Sequence, residues 1–413
     1  MGVGKAKNVL PSIVIYILMF QNLFNAASPY LTLILNLMVA VIVIKNNGIK
    51  IPNPPVLAAI HIILTWFIVV VVYRGDFDNQ ILMKYFRITL AATLLALIFG
   101  SRSIDSKKIV MAINFSLGFH VLLILVQIGY PDITNFTAEL FGFDRDAAIL
   151  EQYSQRKLGA SSSYDTASLL SIASLIFFYL QFSRNRNITL LILVIISFAA
   201  SLMSSRAGIA LSLATAIIFF FHAYLESTAI WRYAIASALL IFFTLIYVYI
   251  SPIFLHSVGL TELSAEESYV IFAAADYGTT GTLDALTDEH LKPLDLPIYD
   301  LFIGFAIDPN SIGKYTDIGY VKLVYHVGII GVMMIMAIYA YMGMLANKYR
   351  HRHFVDKESK IIATFLLCII LVACIFNYKS LEIYSRGVGD FIFIIFFFLC
   401  GRNYTSTSRS LIT

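Results

Sequence analysis

The sequence predicts an all-α polytopic membrane protein of about twelve transmembrane helices, with both termini cytoplasmic and two long loops on the opposite, periplasmic side. Three observations lead there. Hydrophobic residues make up 59% of the 413 positions and charged residues only 13%, far from the balance of a soluble domain. Apolar stretches of about the length that spans a bilayer recur with short polar breaks between most of them. None alternates with a period of two, so each must satisfy its backbone hydrogen bonds as a helix and not as a barrel strand.

The predicted spans run over 8–26, 29–44, 55–73, 81–100, 109–129, 166–182, 188–203, 207–225, 233–250, 318–345, 361–377 and 388–401, forming a single integral membrane domain, 1–413. The first follows Lys5 and Lys7 with no small-residue cleavage site after it, so it reads as a retained helix and not a removed signal peptide. Orientation comes from the cations, because cytoplasmic loops hold the excess of Lys and Arg. With the N-terminus inside, Lys45, Lys50, Arg102, Lys107, Lys108, Arg184, Arg186, Arg232, Arg402 and Arg409 fall on one side, with Lys348, Arg350, Arg352, Lys357 and Lys360. The other side receives the long loops 130–165 and 251–317, the second acidic from Glu262 to Asp317 against only Lys292 and Lys314. Loops of that length are functional or disordered, and the apolar residues within 269–275 and 294–305 favour partly helical order.

Several function classes are excluded or weakened. Net charge is only +4 with the cations spread over many loops, so nucleic acid is not a partner. Cys368, Cys374 and Cys400 all sit in apolar stretches and read as small core residues. No Gly-rich phosphate loop, zinc spacing or nucleophile elbow is present. Asp76-Phe77-Asp78 and Asp144-Arg145-Asp146 match the carboxylate pair that holds a divalent metal in many sugar transferases. A pattern that short arises readily by chance, and Arg145 opposes a metal at the second.

The informative residues are charges where a simple bundle needs none. Arg156 and Lys157 precede the sixth span, Arg206 sits in the tight turn between spans seven and eight, and Lys379 and Arg386 precede the last span. A guanidinium at a helix start, beside free N–H groups and the positive end of the helix dipole, makes a corner suited to phosphate. Arg206 reads equally as a side chain that snorkels to lipid headgroups or pairs with the acidic loop. Asp317, where that loop enters the tenth span, reads as a helix N-cap or as a base that accepts a proton from a sugar hydroxyl. Tyr320 follows one turn later; Lys322 and His326 share a face of the same helix. Ionisable groups inside a spanning helix face the protein interior and mark a functional site, though these, like His61, His120, Lys84 and Arg87, also serve as internal hydrogen-bonding or anchoring groups.

The layout, together with Ser204-Ser205-Arg206-Ala207-Gly208, Arg156 with Gly159, and Gly304 through Thr316-Asp317-Ile318-Gly319-Tyr320 to Gly328 and Gly331, resembles the Wzy-type O-antigen polymerases. These belong to the polymerase and ligase superfamily of bacterial surface polysaccharides. The resemblance implies a GT-C-like architecture in the bacterial inner membrane. It also implies glycosyl transfer between undecaprenyl-diphosphate-linked oligosaccharides at the periplasmic face, and a chain-length regulator and a flippase as partners besides membrane lipids. Arg206 and Arg156 would hold the diphosphate, with Lys157, Arg386, Lys379, Lys322 and Tyr320 as further substrate contacts. Asp317 stands where related ligases carry a histidine, which favours a polymerase. No cofactor is implied, and the cations make a metal unnecessary. The Arg-to-Gly spacing of some polymerases is absent from Arg145, Arg156 and Arg206. A ligase, a lipid-linked oligosaccharide flippase or other transporter, and an assembly protein without chemistry are the competing expectations.

Overall fold

The computed structural model describes residues 10–24, 29–49, 51–100, 104–130, 132–140, 157–161, 163–204, 206–225, 296–314, 316, 318–352, 355–378 and 387–410, with isolated positions between 228 and 294; some of these, Arg206 among them, are described by backbone alone. Among the described residues the regular structure is entirely helical. The helices are α1 (Ser12–Phe24), α2 (Pro29–Asn47), α3 (Pro54–Arg74), α4 (Asn79–Phe99), α5 (Ser106–Gly129), α6 (Asp132–Leu140), α7 (Tyr164–Asn185), α8 (Ile188–Leu202), α9 (Arg206–Leu225), α10 (Ile298–Ile303), α11 (Gly319–Arg350), α12 (Lys357–Phe376) and α13 (Val388–Ser410). Of these, α3, α4, α5, α7, α11 and α12 are long and apolar enough to cross a bilayer, and shorter apolar helices accompany them. Helix bounds track the predicted spans closely, as Pro54–Arg74 does 55–73. The span expected over 233–250 lies largely outside the described residues. Within the acidic loop, α10 forms inside the 294–305 stretch read as partly helical.

Local chemistry explains the boundaries. Asn53 caps α3 by accepting from the Val56 N–H, Pro54 and Pro55 preset its first turn, and Gly75 closes it in the left-handed region. Asp78 caps α4 through Gln80, Ser163 caps α7 through Thr166, and Asp356 caps α12 through Ser359.

The chain divides into two compact units, with the boundary inside α5. The first holds residues 1–116, 140–142 and 293–413. In it α11 packs on α3 and α12, and α13 packs on α4 and α12. Its two ends are defined by contacts. At one end the Asn53 amide donates to Cys400 Sγ at 3.8 Å, Arg402 pairs with Asp356 at 3.0 Å, and the backbones of Gly100 and Gly401 meet. At the other, the end of α3, the starts of α4, α11 and α13, and the end of α12 come together. The second unit packs α7 against α8 and α9. There Ser168, Ser171 and Ser174 line α7 without exposed surface, small enough for close approach of neighbouring helices.

Candidate functional site

The end of the first unit where α4, α11 and α13 begin is built on a broken helix. Gly328, inside α11, has φ 66° and ψ 177°, a backbone that glycine alone adopts readily. Gly304, with φ 87°, crosses it so closely that a Cβ there would lie 2.4 Å from the Gly328 nitrogen. The break frees carbonyls that an apolar bundle must satisfy internally. Tyr325 O accepts from Phe305 N at 2.7 Å and Ala306 N at 3.1 Å, and Val327 O accepts from Trp66 Nε1 at 2.8 Å. Arg74, the last residue of α3, fastens the crossing segment. Its Nε donates to Gly304 O at 2.7 Å, its Nη2 pairs with Asp300 at 2.8 Å, and its guanidinium lies 4.5 Å from the Phe305 ring centroid. Beside it the Tyr299 hydroxyl is held above its ordinary pKa, chiefly by the hydrogen bond with Tyr73 and further by desolvation.

The helix starts at this end also carry ionisable groups. Lys84, Tyr85 and Arg87 come from the start of α4, Lys322 and His326 from the start of α11, and Asp390 from the start of α13. Arg87 Nη1 meets Asp390 Oδ2 at 3.0 Å, with Asp390 wholly buried and also accepting from Gly387 N at 3.4 Å. His326 is 1% exposed, its ring edge-on to Tyr85 at 6.1 Å, and neither ring nitrogen has a hydrogen-bond partner among the described residues. The charges of Lys84 and Lys322 both act on that ring. Among the described residues, these helix starts bring together three cations and one carboxylate.

The predicted residues divide between the units. In the first, Lys322 joins this cluster. Tyr320 is committed to structure: its N–H donates to Asn377 O at 3.2 Å and its hydroxyl to Cys374 O at 2.7 Å, tying α11 to α12. Asp317, Lys379 and Arg386 lie outside the described residues. In the second unit Arg206 opens α9, as read from the sequence, and Arg156 lies outside the described residues. Lys157 is 6% exposed, and desolvation lowers its ammonium pKa. Its N–H donates to Met203 O at 2.8 Å, which brings one cation-bearing segment against the turn that leads into Arg206.

That segment is firmly seated. Gln127 receives the Gly159 N–H at 2.9 Å and donates to the Gly159 carbonyl at 3.3 Å, while Ala160 N donates to His120 Nδ1 at 3.2 Å. His120 Nε2 reaches Ala167 O at 3.0 Å and Ser171 Oγ at 3.2 Å, so this histidine is a satisfied core group. Among the described residues, the His61 ring bonds only its own helix, at Leu57 O.

Among the described residues no group of three His, Cys, Asp or Glu is placed to hold a metal. Asp78 of the first acidic pair spends its carboxylate on the α4 cap, and Asp144 and Asp146 lie outside the described residues. Sequence reasoning did not single out Asp390, Arg74 or Trp66. Asp390 carried a signal, a lone carboxylate at the head of the apolar run 388–401.

Fold and site together define a multi-pass helical membrane protein with a polar, cation-rich centre at one end of its helices. No protein-family model matches the chain, and no curated protein matches it in sequence.

Proposed function

We propose that the protein joins lipid-diphosphate-linked oligosaccharides into a longer polysaccharide, as a repeat-unit polymerase of the Wzy type. The observation that carries this reading is the excess of positive charge among the described residues, Lys84, Arg87 and Lys322 against Asp390, at the helix ends where the acidic loop enters α11. By the orientation read from the loops, that end is the periplasmic one. Transfer requires an acceptor hydroxyl oxygen to bond to the anomeric carbon while the bond from that carbon to the diphosphate oxygen breaks. The diphosphate departs with the electron pair, and cations lower the cost of its charge. The hydroxyl proton passes to a base, for which Asp317 is the candidate. Arg206 and Arg156 supply planar forks suited to diphosphate oxygens, and Lys157, Lys379 and Arg386 add charge. The acidic loop, with Tyr299 and Tyr315, suits sugar hydroxyls better than an anion.

A strain lacking the gene should carry single repeat units on its surface acceptor in place of a ladder, and Arg206→Ala should reproduce that profile at normal protein level. Long chains persisting with Arg206→Ala would remove the arginine from the mechanism. Loss of all repeats, including the single one, would point to a ligase.

The break in α11 favours one second reading, a transporter of the same lipid-linked sugar, because interrupted helices commonly form transporter sites. Movement of a labelled lipid-linked sugar by the protein in vesicles, without chain growth, would establish it.

A further inference from the structure

We propose that Lys84, Lys322 and His326 form a seat for a phosphate-type anion, the diphosphate of a lipid-linked substrate, at the start of α4 and α11. The ligand's identity rests on the polymerase reading; the seat itself rests on the geometry. Lys322 and His326 lie one turn apart on a single face of α11. The Tyr85 ring of α4 meets His326 edge-on at 6.1 Å, and the charge of the preceding residue, Lys84, acts on the imidazole. His326 is 1% exposed, yet both its ring nitrogens lack a hydrogen-bond partner among the described residues. A buried imidazole in that condition forfeits the bonds it would make to water, and native proteins rarely leave such groups unmet without a ligand or a function.

The surrounding charges select the sign of that ligand. Lys84 and Lys322, both partly exposed, bring two ammonium groups whose charge acts on the ring. Asp390, at the start of α13, meets Arg87 at 3.0 Å and the Gly387 N–H at 3.4 Å through Oδ2, and its buried Oδ1 has no hydrogen-bond partner among the described residues. Two positive charges acting on the ring disfavour a cation at His326, whereas an anion gains both ammonium groups and the imidazole N–H. Two adjacent phosphoryl groups match two ammonium groups better than one does, which favours a diphosphate over a monoester.

The test uses the full chain purified in a nonionic detergent, labelled with an amine-reactive reagent and read by mass spectrometry. Inorganic pyrophosphate and a polyprenyl diphosphate should each protect Lys84 and Lys322 at least threefold, while Lys45, Lys348 and Lys360 react unchanged. Protection by the polyprenyl diphosphate at a concentration tenfold below that of pyrophosphate assigns the lipid-linked source. Equal potency assigns a free anion, and protection by phosphatidylglycerol alone would overturn the diphosphate. Unaltered labelling with every anion would overturn the seat. Lys84→Gln, Lys322→Gln and His326→Gln should each weaken pyrophosphate binding tenfold or more, and binding equal to the parent in all three would also overturn it. A null gene that leaves the glycan ladder intact would defeat the polymerase reading without touching the labelling result, so the two fail separately.

Discussion

Gly304 and Gly328 cross backbone to backbone: a Cβ on Gly328 would lie 2.1 Å from Phe302 O, and one on Gly304 would lie 2.4 Å from Gly328 N. Both residues have positive φ, so an alanine at either meets strain and collision at once. Gly328→Ala should destabilise the first unit by on the order of 3 kcal/mol or more. A thermal-unfolding midpoint in detergent equal to that of the parent would show that the break is not needed for the fold.

Arg74 meets Asp300 and Gly304 with separate nitrogens, and lysine offers one compact ammonium in place of that fork. Arg74→Lys should therefore keep the charge and still lose the bond to Gly304 O, costing about 1 kcal/mol. Asp300→Asn should cost less, about 0.5 kcal/mol, because the pair is partly exposed and screened. A double-mutant cycle over the two positions, run at low and high salt, reads the coupling. Zero coupling at low salt would mean that the Arg74–Asp300 pair adds nothing to what the bond from Arg74 to Gly304 O and the backbone bonds to Tyr325 O already hold.

The helices were legible because hydrophobic runs and their caps are local signals. Pro54, Pro55 and Gly75 mark the limits of α3 within the sequence itself. The break in α11 was not, since a glycine inside an apolar run reads as a tolerated residue until another backbone is known to cross it. Pairing across the chain is equally silent: Arg87 and Asp390 are separated by 303 positions, and only the packing of α13 on α4 joins them. Asp78 was ambiguous for the opposite reason, because a cap and a metal ligand use the same residue type and only the Gln80 bond separates them. Lys157 reads as a substrate contact, and the backbone bond from its N–H to Met203 O, in the turn before Arg206, was not legible because it joins positions 46 residues apart.

In the second unit, Gln127 satisfies both backbone groups of Gly159, whose positive φ and closeness to His120 exclude a larger residue. Gln127→Leu fills the same volume and strands a buried N–H and a carbonyl, so it should cost about 2–4 kcal/mol. Gly159→Ala should cost a similar amount, because the new methyl would lie 2.6 Å from the His120 ring. If the polymerase reading holds, both variants should also depress chain growth by displacing Lys157 and its neighbours. Proteolysis at native temperature, sensitive to opening of 157–161, checks the stability arm. Resistance matching the parent in Gln127→Leu would show that this seat is not what fixes the segment.

Asp356 gives the clearest dependence on pH. Burial pushes its carboxyl pKa upward, but the Ser359 N–H and hydroxyl and the Arg402 guanidinium together outweigh that and hold it below its ordinary value. A depressed carboxylate contributes stability that is complete above its unfolded pKa, about 3.9, and is lost as pH falls through the lower folded value. Asp356→Asn keeps the cap oxygen and loses the ion pair, so the gap between parent and variant should be constant at neutral pH and close progressively below about pH 4. Asp356→Ala removes the cap as well and should cost about 1 kcal/mol more than the asparagine at every pH where the parent is folded. Unfolding midpoints taken from pH 7 down to pH 3 measure both effects. A gap between parent and Asp356→Asn that widens on acidification would reverse the sign and show that the carboxyl is stabilised in its protonated form.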